Sequence, residues 1–505
     1  MNINDSPKKQ NPSKAEYNKK LSNSIDSNIE LFKEIFKKDD TFRIRNIQNQ
    51  YQSSIRCSTI FIDGMINDDY ISENIIKPIL NADLSRDNTD NIFHKLMNQI
   101  IPSSDVKEST DIYEIVNCII GGDTILLVDH SSSALIIASK DFKVRAITEP
   151  TSEKALRGSK EGFTESLIIN LSLIRRRAKS TNLKFQFRQL GAETNTTICL
   201  CYIEGKVQDK ILNELITRLD QINIDSLLDS EYIQEMIQDA PLSLFETVGS
   251  TERPDVVVGK ILEGRVAILV DGTPFALTVP FLFIEYFQTG EDYYNNYFFM
   301  SFNRIIRIIG FIFTVSVPAL YISIVTYNQE MIPTNLLLSI YAARENVPLP
   351  TIVEAILMIF SFEVLREAGT RLPSDLGEAI SIVGALVLGQ AAVDARLVSA
   401  PMVIIVAITG IVGLLNIKIV GATIFLRFIF LFLSAFLGIY GYLFGVIGFI
   451  VYLMNLRSFG VHYMNTVGSF DSKSISDSTI RAPWWYLSLH NYKISVKGRI
   501  KGKNR

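Results

Sequence analysis

The chain has 505 residues, 47% of them hydrophobic, with 50 Lys+Arg against 53 Asp+Glu and a formal net charge of -3. That near-balance gives no reason to expect nucleic acid as a partner, and the length allows several domains. Four cysteines without a CxxC pair and four scattered histidines exclude a disulfide framework and a zinc centre, so no metal or other cofactor is expected.

The average hides a partition. Residues 1 to 300 hold 33 Lys+Arg against 43 Asp+Glu, residues 301 to 456 hold 8 against 8, and the tail from Arg457 holds 9 against 2. Residues 1–27, rich in Asn, Ser and Lys, are expected to be a disordered segment. Residues 28–141 read as a first α/β subdomain: a strand over Thr59–Ile62 closed by Asp63-Gly64, helices near 70–81 and 90–101, and a hairpin of Ile125–Val128 with Ala134–Ala138. Residues 142–245 read as a second, with a helix over 164–181, strands at 184–190 and 196–203, and a helix over 207–220. Cys199 and Cys201 alternate along its apolar TTICLCYI run as buried strand residues. Residues 246–303 form a connector and membrane-proximal region.

One echo crosses the two subdomains. Gly122, Val128-Asp129 and Ala134-Leu135 recur 142 residues later as Gly264, Val270-Asp271 and Ala276-Leu277. Duplication is one explanation, and the resemblance of any strand-turn-strand to another is the other. The Arg157–Gly162 stretch lacks the order of a phosphate loop. Arg175-Arg176-Arg177, ending a helical stretch, reads as a solvated face or subunit contact rather than an anion site. No Ser-His-Asp set or cleft carboxylate pair is legible, so no enzyme is expected.

From 304 to 457 the chain reads as a helical membrane domain. Ile308–Gln329, Leu397–Ile417 and Phe428–Leu456 are charge-free runs of 22, 21 and 29 residues, each able to cross about 30 Å of hydrocarbon. The chain opens without an apolar export signal, and residues 458–505 form a basic tail. Both ends are therefore expected on the cytoplasmic side, which requires an even number of crossings. Six spans satisfy this: about 308–327, 351–368, 376–395, 398–417, 419–436 and 437–456, with a neutral 328–350 loop outside. The second, carrying Glu354, Glu363, Arg366 and Glu367, fits a re-entrant helix nearly as well as a span. The expected fold is a cytoplasmic α/β N-terminal region of two subdomains followed by an all-α multispanning membrane domain.

Polar groups inside lipid are costly and mark cavities, partners or pores. Over 376–395, Val383, Val387, Gln390 and Asp394 share one helical stripe, an apolar constriction beside polar groups as in a gate that closes by excluding water. The alternative is a tightly packed buried helix, since Gly384, Ala385, Gly389, Ala391 and Ala392 allow close approach. Glu378 and Ser381 fall at the cytoplasmic mouth, while Glu354 and Ser361 could line a vestibule. Arg427, about nine residues inside its span, needs a carboxylate, for which Asp394 and Glu378 are the candidates. Gly441 and Gly445 give a GxxxG spacing that either docks helices or relieves crowding.

Four segments carry a resemblance: EPTSEKALRGSKEGFTESL (Glu149–Leu167), NLSLIRRR (Asn170–Arg177), ERPDVVVGKILEGRVAILVDGTPFALTVP (Glu252–Pro280) and LREAGTRLPSDLGEAISIVGALVLGQAAV (Leu365–Val393). With their order over about residues 55–460, the chain resembles the A-type membrane subunit of bacterial spore germinant receptors, the GerA family. The resemblance implies a component of the endospore inner membrane, assembled with a B-type transporter-like sensor subunit and a C-type lipoprotein. It further implies self-association, as a pentamer, into an ion-conducting path gated by nutrient bound mainly to the partner. A secondary transporter and a non-conducting scaffold are the rival expectations.

Overall fold

The computed structural model describes residues 20–51, 55–82, 89–103, 105–140, 150, 153, 157–371, 384, 387–464 and 479–483. These divide into two compact units, one from 20–237 and 248–280, the other from 238–247, 281–464 and 479–483. The segment expected to be disordered lies largely outside the described residues, and regular structure begins at Ile25.

In the first half of unit one, helix α1 (Ile25–Ile35) precedes strands β1 (Phe42–Gln48), β2 (Arg56–Ile62) and β3 (Val106–Ser109). Helix α2 (Ile112–Gly121) and the hairpin β4 (Thr124–Val128), β5 (Ala134–Ile137) complete it. The sheet order is β1-β2-β4-β5-β3, every pairing antiparallel. Strands β4 and β5 are buried along their whole length because helices cover both faces. Ile25, Ile29 and Phe32 of α1 and Ile112, Ile115 and Ile119 of α2 close one face; Ile71, Ile75, Ile79, Ile92 and Leu96 close the other. Each such side chain, fully buried, contributes about 1.5–3 kcal/mol.

The second half repeats this plan. Helix α3 (Leu167–Arg177) is followed by β6 (Leu183–Leu190), β7 (Thr196–Ile203), α4 (Asp209–Asp220), α5 (Ser230–Ile237), β8 (Gly249–Thr251), α6 (Pro254–Leu262), β9 (Val266–Val270) and β10 (Ala276–Val279). The sheet order is β6-β7-β9-β10-β8, again antiparallel throughout. Both halves are therefore antiparallel sheets with helical covers, not the parallel sheet that alternating strands and helices can also make.

The echo in the sequence extends into the hydrogen bonds. The amide of Ile25, at the start of α1, donates to Asp129 Oδ1 (3.2 Å), and that of Leu167, at the start of α3, donates to Asp271 Oδ1 (3.0 Å). Asn28 takes the Ser22 amide (2.8 Å) and returns Nδ2 to the Ser22 carbonyl (2.7 Å); Asn170 does the same with Thr164 at 2.8 and 2.6 Å. Gly122 and Gly264, at φ 91° and 95°, stop α2 and α6 in the left-handed region where a Cβ is strained. The aspartate of each echoed turn thus has a job: it supplies the helix cap that Ser24 and Ser166 do not.

Arg175 corrects the reading of the arginine run as a solvated face. It is 1% exposed, ion-paired with buried Asp39, and its guanidinium lies 4.5 Å over the Phe185 ring. Only its neighbours are partly exposed, and they pair with Glu161.

Unit two is helical. Helix α7 (Tyr297–Thr326) is followed by α8 (Thr334–Arg344), α9 (Thr351–Arg371), helical turns over 387–394, α10 (Ala400–Gly413) and α11 (Val420–Asn455). The expected outer loop over 328–350 contains α8, whose apolar run Leu336–Leu338 was passed over for its flanking prolines. Helix α11 is two arms, because Gly438 at φ 60°, ψ -141° reverses the chain in a conformation close to glycine-only. Phe430 on the first arm meets Tyr442 and Phe449 on the second, with ring centroids 5.8 and 6.4 Å apart. A Cβ on Gly441 would lie 2.0 Å from the Leu433 carbonyl oxygen, so this glycine docks the arms. By length and composition, Tyr297–Thr326 and Ala400–Asn455 are the two described stretches able to cross a membrane.

Candidate functional site

Among the described residues of unit two, buried ion pairs form three groups. Near the start of α7, Asp292 is fully buried and accepts from Arg304 Nε (3.1 Å) and Nη2 (2.9 Å) and from Arg307 Nη2. The Thr289 amide (3.3 Å) and hydroxyl (3.0 Å) complete its shell. The spacing of Arg304 and Arg307, one helical turn, was the sequence signal for this site. It went unread because Asp292 lies outside the helix.

Glu354 of α9 is also fully buried. Its Oε2 accepts the Ser399 amide (3.0 Å) and hydroxyl (2.8 Å), and its Oε1 stands 3.3 Å from Arg344 Nη2. Ser361, two turns along α9, is half-buried.

Arg427, on the first arm of α11, is 3% exposed and its Nη1 is 3.2 Å from Glu363 Oε1. Glu363 also pairs with Arg366 one turn further along α9. The carboxylate that Arg427 requires is therefore Glu363, not Asp394; Glu378 lies outside the described residues. Gly413, at the end of α10, lies beside this pair, a Cβ there standing 3.8 Å from Arg427 Nη2.

The stripe read over 376–395 is described from 387 onward, with Val383, Glu378 and Ser381 outside the described residues. These turns have two faces. Leu388, Ala392 and Val393 pack against the cluster of Met358, Met402 and Val406, and a Cβ on Gly389 would touch Val403 at 3.4 Å. On the other face Val387 is 58% exposed, and Gln390 and Asp394 are exposed with Nε2 3.4 Å from both carboxylate oxygens. The structure thus brings Val387, Gln390 and Asp394 together on one open surface and keeps Glu354 and Arg427 inside. Among the described residues no cluster of His, Cys, Asp and Glu could hold a metal.

This chain matches the family described as Bacillus/Clostridium GerA spore germination protein over residues 30–492. It is 41% identical over 489 residues to spore germination protein KA of Bacillus subtilis (strain 168), covering 96% of this chain and 89% of that one. It is 40% identical over 450 residues to the uncharacterized membrane protein YfkQ of the same organism, covering 88% and 87%. Against spore germination protein GerLA of Bacillus cereus it is 34% identical over 434 residues, covering 85% and 88%. A crystal structure of the N-terminal domain of the A subunit of the Bacillus megaterium spore germinant receptor GerK3 aligns at 31% identity and a TM-score of 0.43, covering 52% of this chain and 98% of that one. The chain belongs to the GerA family of spore germination proteins, as its four motif segments suggested. Two of these three relatives are named as spore germination proteins.

Proposed function

We propose that this chain is the membrane subunit of a nutrient-responsive spore germination receptor and that several copies of it form an ion path, opened when a partner binds the germinant. The observation that carries the reading is the open face of Val387, Gln390 and Asp394. A carboxylate and an amide facing hydrocarbon are costly, less so for Asp394 at the end of its helical turns than at mid-helix, and that cost is relieved where the face meets water. Copies arranged with this face inward enclose a wet passage, with Val387 and, one turn earlier in sequence, Val383 as its apolar waist. Glu378, Ser381 and Ser361 then belong to the approaches, with Glu354 held back by Arg344 and Ser399.

The apolar stretches of α7 and of α10 with α11 support a membrane setting; in this reading it is the inner membrane of the spore, with residues 1–300 and the basic tail on the core side. Under this reading the partners are a B-type transporter-like sensor and a C-type lipoprotein, and the copies number five. A nutrient moves the equilibrium only by its differential affinity for the open state. The test is an ion-flux recording from the reconstituted three-component receptor. A passive current gated by nutrient is expected; stoichiometrically coupled flux would make the assembly a transporter, and no flux would make this chain a scaffold.

A further inference from the structure

Of the eleven residues between α5 and β8, the first ten, Gln238–Thr247, belong by their contacts to the helical unit although they lie within the sequence of the second sheet. They form a strap along the end of α11. Tyr452 Oη donates to Ser243 Oγ at 2.7 Å, the Phe459 amide to Asp239 Oδ2 at 2.7 Å, Ser458 Oγ to the Thr247 carbonyl at 2.6 Å and Tyr463 Oη to the Glu246 carbonyl at 2.6 Å. Phe245 is wholly buried, its ring centroid 5.9 Å from Phe283, 5.8 Å from Phe449 and 6.3 Å from Tyr452. The strap's polar groups Asp239, Ser243 and Thr247 are thus engaged inward, the Thr247 hydroxyl also taking the Asp239 amide at 3.1 Å.

Its two leucines are not. Leu242 is 101% exposed and Leu244 39% exposed. A turn at Pro241-Leu242 is where solvated polar residues are the norm, so a bare leucine there has an occupant to find. Ile447, Val451 and Met454, on one face of the arm of α11 whose Phe449 and Tyr452 meet the strap, are also exposed. If α11 crosses a membrane as proposed above, this level is its boundary. Phe449 touches Phe311 at 6.2 Å, four residues inside the charge-free run that follows Arg307, and Tyr452 sits where a ring with one wet end is favoured.

We propose that the Pro241–Leu244 tip is a membrane anchor built into the soluble half of the sequence, with Leu242 and Leu244 inserted among lipid headgroups and upper acyl chains beside the end of α11. This rests on the membrane reading of α11 given above. Lipid is the occupant favoured over a second copy because Asp239, Ser243 and Thr247 are hydrogen-bonded within the helical unit while the exposed residues of the tip, Pro241, Leu242 and Leu244, are all apolar.

The test labels Leu242→Cys with bimane in the full-length chain carrying Cys118→Ala, reconstituted in phosphatidylcholine/phosphatidylglycerol vesicles, beside a reference label at Ile447→Cys. Quenching is measured with a nitroxide on the lipid acyl chain and with aqueous iodide. Lipid quenching at both sites, with iodide quenching at 242 weaker than for bimane-labelled glutathione, is the expected result. Strong iodide quenching at 242 with lipid quenching at 447 overturns the anchor and leaves the membrane reading standing. Protection from both quenchers at 242 means that another copy covers the tip, which also overturns it. No lipid quenching at 447 removes the membrane reading and the anchor together.

Discussion

Glu363 on α9 and Arg427 on α11 meet at 3.2 Å although 64 residues separate them, and this carboxylate is what lets the Arg427 guanidinium be buried. Breaking such a pair from one side leaves an uncompensated charge, at a cost of about 3–5 kcal/mol, whereas removing both can be nearly neutral. Glu363→Gln should therefore lower the thermal midpoint of the detergent-solubilised chain sharply, and Glu363→Gln with Arg427→Gln should recover most of the loss. An additive double variant would mean that the two do not act as a pair.

Asp292 holds two arginines and caps its own turn through Thr289. Asp292→Ala should destabilise unit two by about 3–5 kcal/mol, since it strands Arg304 and Arg307 together. Asp292→Asn should fall between it and the wild type, because an amide oxygen still accepts from the Thr289 amide. Denaturant unfolding followed by intrinsic fluorescence would rank the three.

The paired helix caps make matched predictions. Asp129→Ala and Asp271→Ala should each cost about 1 kcal/mol, the usual loss for a helix cap, and speed amide exchange locally at the start of α1 and α3 respectively. Loss of protection at both helices from either single change would contradict the assignment of one cap to each half.

Burial pushes the Cys57 thiol up to about 12 and the Cys199 thiol well above its ordinary range, and raises half-buried Cys118 less. A maleimide at neutral pH should therefore modify Cys118 slowly and leave Cys57, Cys199 and Cys201 intact until denaturant is added. For Cys57 the unfolded thiol ionises near its ordinary value of 9.0, below the folded one, so its effect on stability is flat under pH 9 and turns unfavourable as pH rises towards 12. Rapid labelling of four thiols in the native chain would refute this.

Val387→Ala and Val383→Ala test the proposed waist. Each deletes two methyl groups, and at about 0.8 kcal/mol per buried carbon the closed-to-open ratio should fall roughly tenfold. Ion leakage and germination without nutrient should rise accordingly; unchanged leakage with normal nutrient dependence in both would reject the stripe.

Periodicity and hydropathy made the membrane runs, the β6 and β7 strands and the hairpin 125–138 legible, because these are properties of neighbouring residues. Strand β1 was missed: FRIRNIQ alternates, yet Ile47 is its one buried side chain, so its charges outweigh its pattern. The bend at Gly438 was legible only as a break between spans. Partners are where one dimension fails. Arg175 looked like a helix-end cation until β6 laid Phe185 under it, and Arg427 announced its need for a carboxylate without saying that Glu363 would come from the preceding helix pair. The aspartates of the echoed turns were visible as a motif, but their caps join residues 104 apart.

The repeat has one asymmetry. In the first half the connection entering β3 follows Ile101 after a few residues, whereas the matching connection entering β8 has become the strap that fastens to Tyr452 and Phe459. The same topological link therefore does one job in the first half, carrying the backbone into its edge strand, and a second in the other, tying down the far end of the last long helix.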